Sequence, residues 1–94
     1  MIDNIRGISE LLKVLSNENR LMIVCCLLES PMTVSQLHYK MNNLTQSALS
    51  QHLAMLKAHG ILDYKRNGLS ITYSIQDSKL CNVINVLKND YCNL

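Results

Sequence analysis

The 94-residue sequence has no tryptophan and no phenylalanine, and four tyrosines are its only aromatic side chains. Proteins that hold single-stranded nucleic acid stack bases on aromatic platforms, so that role is disfavoured. Only three glycines and one proline occur. No phosphate-cradling glycine loop, HExxH or CxxC motif is present, and no nucleophile–base–orienter set is visible, so the chain does not read as an enzyme. Repeats, low-complexity segments and Gly/Ser linkers are absent. Met1–Arg6 is not followed by the apolar core of a signal peptide, and no apolar run is long enough to span a membrane, which together point to the cytoplasm. In that reducing compartment four cysteines are expected to be buried, sensing or metal-binding rather than structurally bridged.

Residues 1–94 are short enough for one domain, and 48% of them are apolar. Net charge is only +2, but it is unevenly spread. Residues 31–76 hold Lys40, Lys57, Lys65 and Arg66 against Asp63 alone, together with His38, His52 and His59. The flanks are close to neutral. A basic centre between neutral ends suits a polyanion-facing middle, although ordinary surface scatter gives the same count.

Hydrophobic periodicity supplies the elements. Ile5, Ile8, Leu11, Leu12 and Leu15 recur at helical spacing. Ser16 or Asn17 caps a second helix through Leu28, apolar nearly all round and so expected to be buried on most sides, and Pro31 ends it. Thr33 with Gln36 forms a capping box that opens a third helix, lined inward by Val34, Leu37 and Met41. Asn42 and Asn43 break that helix, and Thr45 caps a fourth from Gln46 to Ala58, with Gly60 as its stop. Two short helices joined by about three residues make a helix-turn-helix.

Asn67-Gly68 then signals a hairpin with a two-residue type I′ loop. That loop pairs Arg66 with Leu69, Tyr64 with Ile71 and Leu62 with Tyr73. Asp77 or Ser78 caps a last helix carrying Leu80, Val83, Ile84, Leu87 and Tyr91. The predicted fold is mainly α with a β-hairpin wing, in the order α-α-α-α-β-β-α: a winged helix-turn-helix. The first and last helices carry more apolar surface than so small a core needs, so they are expected to pair two copies as a homodimer.

The fourth helix sends Leu49, Leu53 and Leu56 inward. Gln46, Ser47, Ser50 and Gln51 form a small polar face able to hydrogen-bond base edges in the major groove of double-stranded DNA. His52 could reach a phosphate or pack against the hairpin. His59 is a favourable charge at a helix end or a plain surface residue. Lys65 and Arg66, just before the hairpin tip, are placed to touch backbone phosphate or a flanking minor groove.

The segments LKVLSNENRLMIV, LTQSALSQHLAMLKAHGIL and the hairpin ending in ITYSI resemble the ArsR/SmtB family of bacterial repressors over Leu12 to Ile75. The resemblance implies a homodimer that represses its own operon, releases operator DNA on meeting an inducer, and reads DNA with Gln46, Ser47, Ser50, Gln51 and His52. Family metal sites have poor counterparts here. One would need Cys where MTVSQL stands, and the other meets Asp77 but also Lys79, with no His after His59. No metal and no cofactor are therefore expected.

The segments LMIVC, ending at Cys25, and LKNDYC, ending at Cys92, resemble the BigR, SqrR and HlyU-like subgroup of that family. That resemblance implies a dithiol switch at Cys25 and Cys92, responding to reactive sulfur species such as persulfide, or to an oxidant. Cys26 and Cys81 have no counterpart in that pattern and are expected to be buried hydrophobes. A metal-responsive or non-sensing repressor, and a winged helix that binds only protein, are the alternatives.

Overall fold

The computed structural model describes residues 3–92. Five helices and three strands follow in the order α1 (Ile5–Leu15), α2 (Glu18–Glu29), β1 (Met32–Thr33), α3 (Val34–Lys40), α4 (Gln46–Ala58), β2 (Leu62–Asn67), β3 (Ser70–Ile75) and α5 (Ser78–Tyr91). The helix starts follow from local chemistry. Asn17 accepts from the N–H groups of Asn19 and Arg20, Thr33 and Gln36 bond reciprocally, Thr45 accepts from Ala48, and Asp77 accepts from Lys79 and Leu80. Each cap satisfies donors that the first helical turn leaves without partners.

The core runs from Val14 and Leu15 of α1 through Ile23, Val24 and Leu27 of α2 to Leu49, Leu53 and Leu56 of α4, and is closed by Ile61, Leu62, Leu80 and Ile84. Among the described residues no polar or charged side chain is buried. The fold is therefore held by apolar burial and satisfied backbone, not by an internal polar network.

Three features differ from the sequence expectation. A short strand, β1, precedes α3 and pairs antiparallel with β3, Met32 opposite Tyr73 and Thr33 opposite Thr72, so the wing is a three-stranded sheet of order β1-β3-β2. The hairpin register pairs Asn67 with Ser70, Arg66 with Ile71, Tyr64 with Tyr73 and Leu62 with Ile75. Its loop is therefore Gly68-Leu69 rather than Asn67-Gly68. Gly68 has φ 65°, and no positive φ occurs at Leu69. Glycine in the first central position is the type II′ pattern, not type I′. Each partner shifts by two residues, which preserves the face of every side chain.

The third difference concerns α2, which is not enclosed on most sides. Leu21 and Met22 are exposed, and Cys25, Cys26 and Leu28 are half-buried. Their apolar surface opens towards α5 and towards the end of α3.

Candidate nucleic-acid interface and thiol cleft

In α4, Gln46, Ser47, Ser50, Gln51 and Ala54 are all exposed. At 3.6 residues per turn they occupy an arc of about 140°. The buried stripe of Leu49, Leu53 and Leu56 occupies a separate arc of the helix. The face is free of long charged chains.

The structure does not bring His52 to that face. It falls on nearly the opposite side of the helix, half-buried, with Nδ1 3.5 Å from Nη1 of Arg20. A guanidinium only donates, so His52 Nδ1 accepts and its proton sits on Nε2. Arg20 also donates from Nε to the Val14 carbonyl at 2.7 Å. One side chain at the start of α2 thus ties the end of α1 to the back of α4. Sequence reasoning gave Arg20 no role, because its partners are remote in the chain.

The turn between α3 and α4 covers residues 41–45, longer than about three residues, and is pinned from within. Met41 is buried, the Leu44 N–H donates to the Met41 carbonyl at 3.1 Å, and His38 Nε2 donates to the Leu44 carbonyl at 2.9 Å. These contacts set the angle at which α4 leaves the turn. Past α4, His59 is exposed and its Nδ1 lies 3.0 Å from the Met55 carbonyl, so it closes its own helix end.

In the wing, Lys65 and Arg66 are both exposed. As neighbours on one strand they leave opposite faces of the sheet. Arg66 shares its face with Leu62 and Tyr64, and Lys65 shares its own with Asp63. Tyr64 packs against Tyr73 with ring centroids 5.4 Å apart and ring planes tilted by 56°, and Lys57 Nζ of α4 lies 5.2 Å from the Tyr64 ring centre. This cation–π contact ties the wing to α4. Burial pushes the Tyr73 hydroxyl up from its ordinary pKa, and Tyr64 adds to the effect.

Far apart in sequence, Cys25 and Cys92 line the same two surface cavities. One, of about 290 Å³, is walled by Leu21, Cys25, Ile84, Leu87, Lys88, Tyr91 and Cys92. The other, of about 480 Å³, lies on the α3 side and includes Glu18, Lys40 and Met41 with both thiols. Both cysteines are free thiols, Cys25 half-buried and Cys92 exposed. Cys92 ends α5, its N–H donating to the Lys88 carbonyl at 2.9 Å.

Burial pushes the Cys25 thiol above its ordinary pKa. The Lys88 ammonium opposes that shift, while the neighbouring thiols of Cys92 and Cys26 reinforce it. Cys26 is also raised by burial, against the pull of Lys40. Cys26 and Cys81 are half-buried rather than fully enclosed. Among the described residues, no three His, Cys, Asp or Glu side chains gather as a metal site would require.

Residues 17–64 match the arsR family of bacterial regulatory proteins. Among individual relatives, the chain is 40% identical over 82 residues to the HTH-type transcriptional regulator YgaV of Escherichia coli K12, covering 87% of this chain and 83% of that one. It is 37% identical over 82 residues to the transcriptional activator HlyU of Vibrio cholerae, covering 87% and 75%. A solved structure of HlyU superposes with a TM-score of 0.91 at 35% identity, covering 98% of this chain and 99% of that one. The structure of the transcriptional repressor BigR from Xylella fastidiosa gives a TM-score of 0.86 at 34% identity, covering 93% and 88%. With the family match spanning the helix-turn-helix and the start of the wing, and with winged-helix relatives matching nearly the whole fold, the chain belongs to the arsR family of bacterial transcriptional regulators.

Proposed function

We propose that this regulator is a cytoplasmic homodimeric repressor that binds operator DNA in its reduced state and lets go when Cys25 and Cys92 become linked. The observation that carries the reading is that these two thiols line the same two cavities. DNA reading falls to Gln46, Ser47, Ser50 and Gln51, with Lys65 and Arg66 meeting backbone from the wing. His52, at the rear of the helix, holds α4 against Arg20.

The exposed Cys92 thiolate attacks the sulfane sulfur of a persulfide or polysulfide. The shortened thiolate of the donor leaves, and Cys92 becomes a persulfide. Cys25 then gives up its proton and attacks the sulfur attached to Cys92 carbon, expelling hydrosulfide and leaving a disulfide. If both thiols carry an added sulfur, the two persulfides join with loss of hydrogen sulfide to give a trisulfide. Either link fastens the middle of α2 to the end of α5. With α5 in the proposed dimer contact, that link alters the spacing of the two recognition helices. They must sit about 34 Å apart to enter successive major grooves.

Fluorescence anisotropy on the DNA upstream of the coding region tests this reading. Reduced protein should bind with salt-dependent affinity, and Gln51→Ala should weaken binding by about 1–3 kcal/mol if Gln51 pairs with adenine. A sulfane-sulfur donor should release the wild type but not Cys25→Ser or Cys92→Ser. Tight binding that ignores the donor would leave a non-sensing repressor. No salt-sensitive binding to duplex DNA would end the repressor reading and favour a protein-binding winged helix.

A further inference from the structure

The smaller thiol cavity has one ionised side chain in its wall. Leu21, Ile84 and Leu87 are apolar, and Lys88 is the cation of this cavity, beside Cys25 and Cys92; in the larger cavity Lys40 and Glu18 bring opposite charges that offset each other. Lys88 pairs with Glu29 across the α2–α5 junction, but Nζ and Oε1 are 3.8 Å apart and both side chains are well exposed. A pair of that length and exposure is weak, so the ammonium keeps most of its charge for other partners. The backbone reinforces the placement: Cys92 donates its N–H to the Lys88 carbonyl, so thiol and cation belong to one helical turn.

We propose that Lys88 makes the Cys25–Cys92 cleft select reactants by charge, favouring anionic sulfur donors such as inorganic polysulfide over neutral oxidants and cationic reagents. The inference rests on the thiol reading above and supplies its selectivity. Lys88 takes no part in the bond being made, so it acts as a positioning residue. An anion entering an apolar cleft loses hydration, and a fixed ammonium at the wall offsets that loss. Hydrogen peroxide carries no charge and gains nothing from it. The same ammonium favours the Cys25 thiolate, but that effect is common to every reagent and cancels in a ratio.

The test compares two methanethiosulfonates of similar size, the anionic sulfonatoethyl and the cationic trimethylammonioethyl reagent. Initial rates at Cys25 and Cys92 are read by site-resolved mass spectrometry on the reduced full-length protein without DNA. The anion-to-cation rate ratio should fall about tenfold in Lys88→Gln, the scale set in water by one unit charge several Å from two oppositely charged probes. Lys88→Arg should restore the ratio, and Glu29→Gln should raise it. Rates with sodium tetrasulfide should follow the anionic probe, and those with hydrogen peroxide should move less. A ratio unchanged in Lys88→Gln, with the helical spectrum intact, overturns the inference. Failure of sulfane sulfur to release DNA would instead sink the sensing function and leave this ratio unaffected, so the two failures are distinguishable.

Discussion

Cys25 and Cys92 carry the same group in different surroundings, one set among apolar side chains of α2 and the other at the exposed end of α5. Burial favours the neutral thiol of Cys25, more strongly than Lys88 favours the thiolate. Iodoacetamide alkylation of Cys25 should therefore reach half its limiting rate at a higher pH than a cysteine in an unstructured peptide. A midpoint at or below that of the peptide would show that the cation outweighs burial. The sign carries over to stability. A thiol pKa raised by folding contributes fully below the unfolded value and loses that contribution as pH rises through the folded value. His52 gives a second case of surroundings overriding type. The motif around it suggested DNA contact, yet one step along a helix turns a side chain by about 100°, and this step carries it to Arg20. Helical phase was legible in the sequence. The Arg20 partner was not, because it comes from another helix.

The elements were legible to the extent that each is set by its own residues. Caps at Asn17, Thr33, Thr45 and Asp77 need only a side-chain oxygen two or three residues ahead of a free N–H, and these helix starts fall where the sequence puts them. Pairing between segments was less legible. Asn67-Gly68 and Gly68-Leu69 are both acceptable two-residue loops, and local turn chemistry favours the first. The observed register sets Tyr64 opposite Tyr73 and Leu62 opposite Ile75, and aromatic and apolar cross-strand pairs of this kind decide between registers. Strand β1 has only two residues and exists by pairing with β3, so no periodicity could announce it. A cap is also where a local change should have a measurable cost. Thr45→Ala removes the acceptor for the Ala48 N–H, at 3.0 Å, and should destabilise the fold by about 1 kcal/mol. At fixed protein concentration that lowers the thermal midpoint by roughly 4–8 °C for a domain of this size. An unchanged midpoint would mean that water replaces the cap at no cost.

The molecule as a whole is more extended than its length requires. Its radius of gyration is 13.6 Å, against about 12.4 Å from the usual scaling for a compact chain of this length. The sequence already showed surplus apolar residues on its first and last helices, and the structure shows their arrangement. A groove of about 530 Å³ runs between α1 and α5, bordered by Ile8, Leu12, Leu21, Val83 and Leu87. Leu12 is 59% exposed and Val83 54%. Contiguous apolar surface of this kind on a small chain marks an association site. A second copy suits it because a two-fold contact uses the same patch twice and sets two recognition helices on one DNA duplex. Leu12→Glu and Val83→Glu should each give a monomer in sedimentation velocity while keeping the helical spectrum, since neither side chain is in the core. Operator affinity should fall more than tenfold, because two linked half-site contacts become one. A wild type that stays monomeric at tens of micromolar would refute the dimer. Charged variants that remain dimeric would place the contact on another face and free the α1–α5 groove for a different occupant.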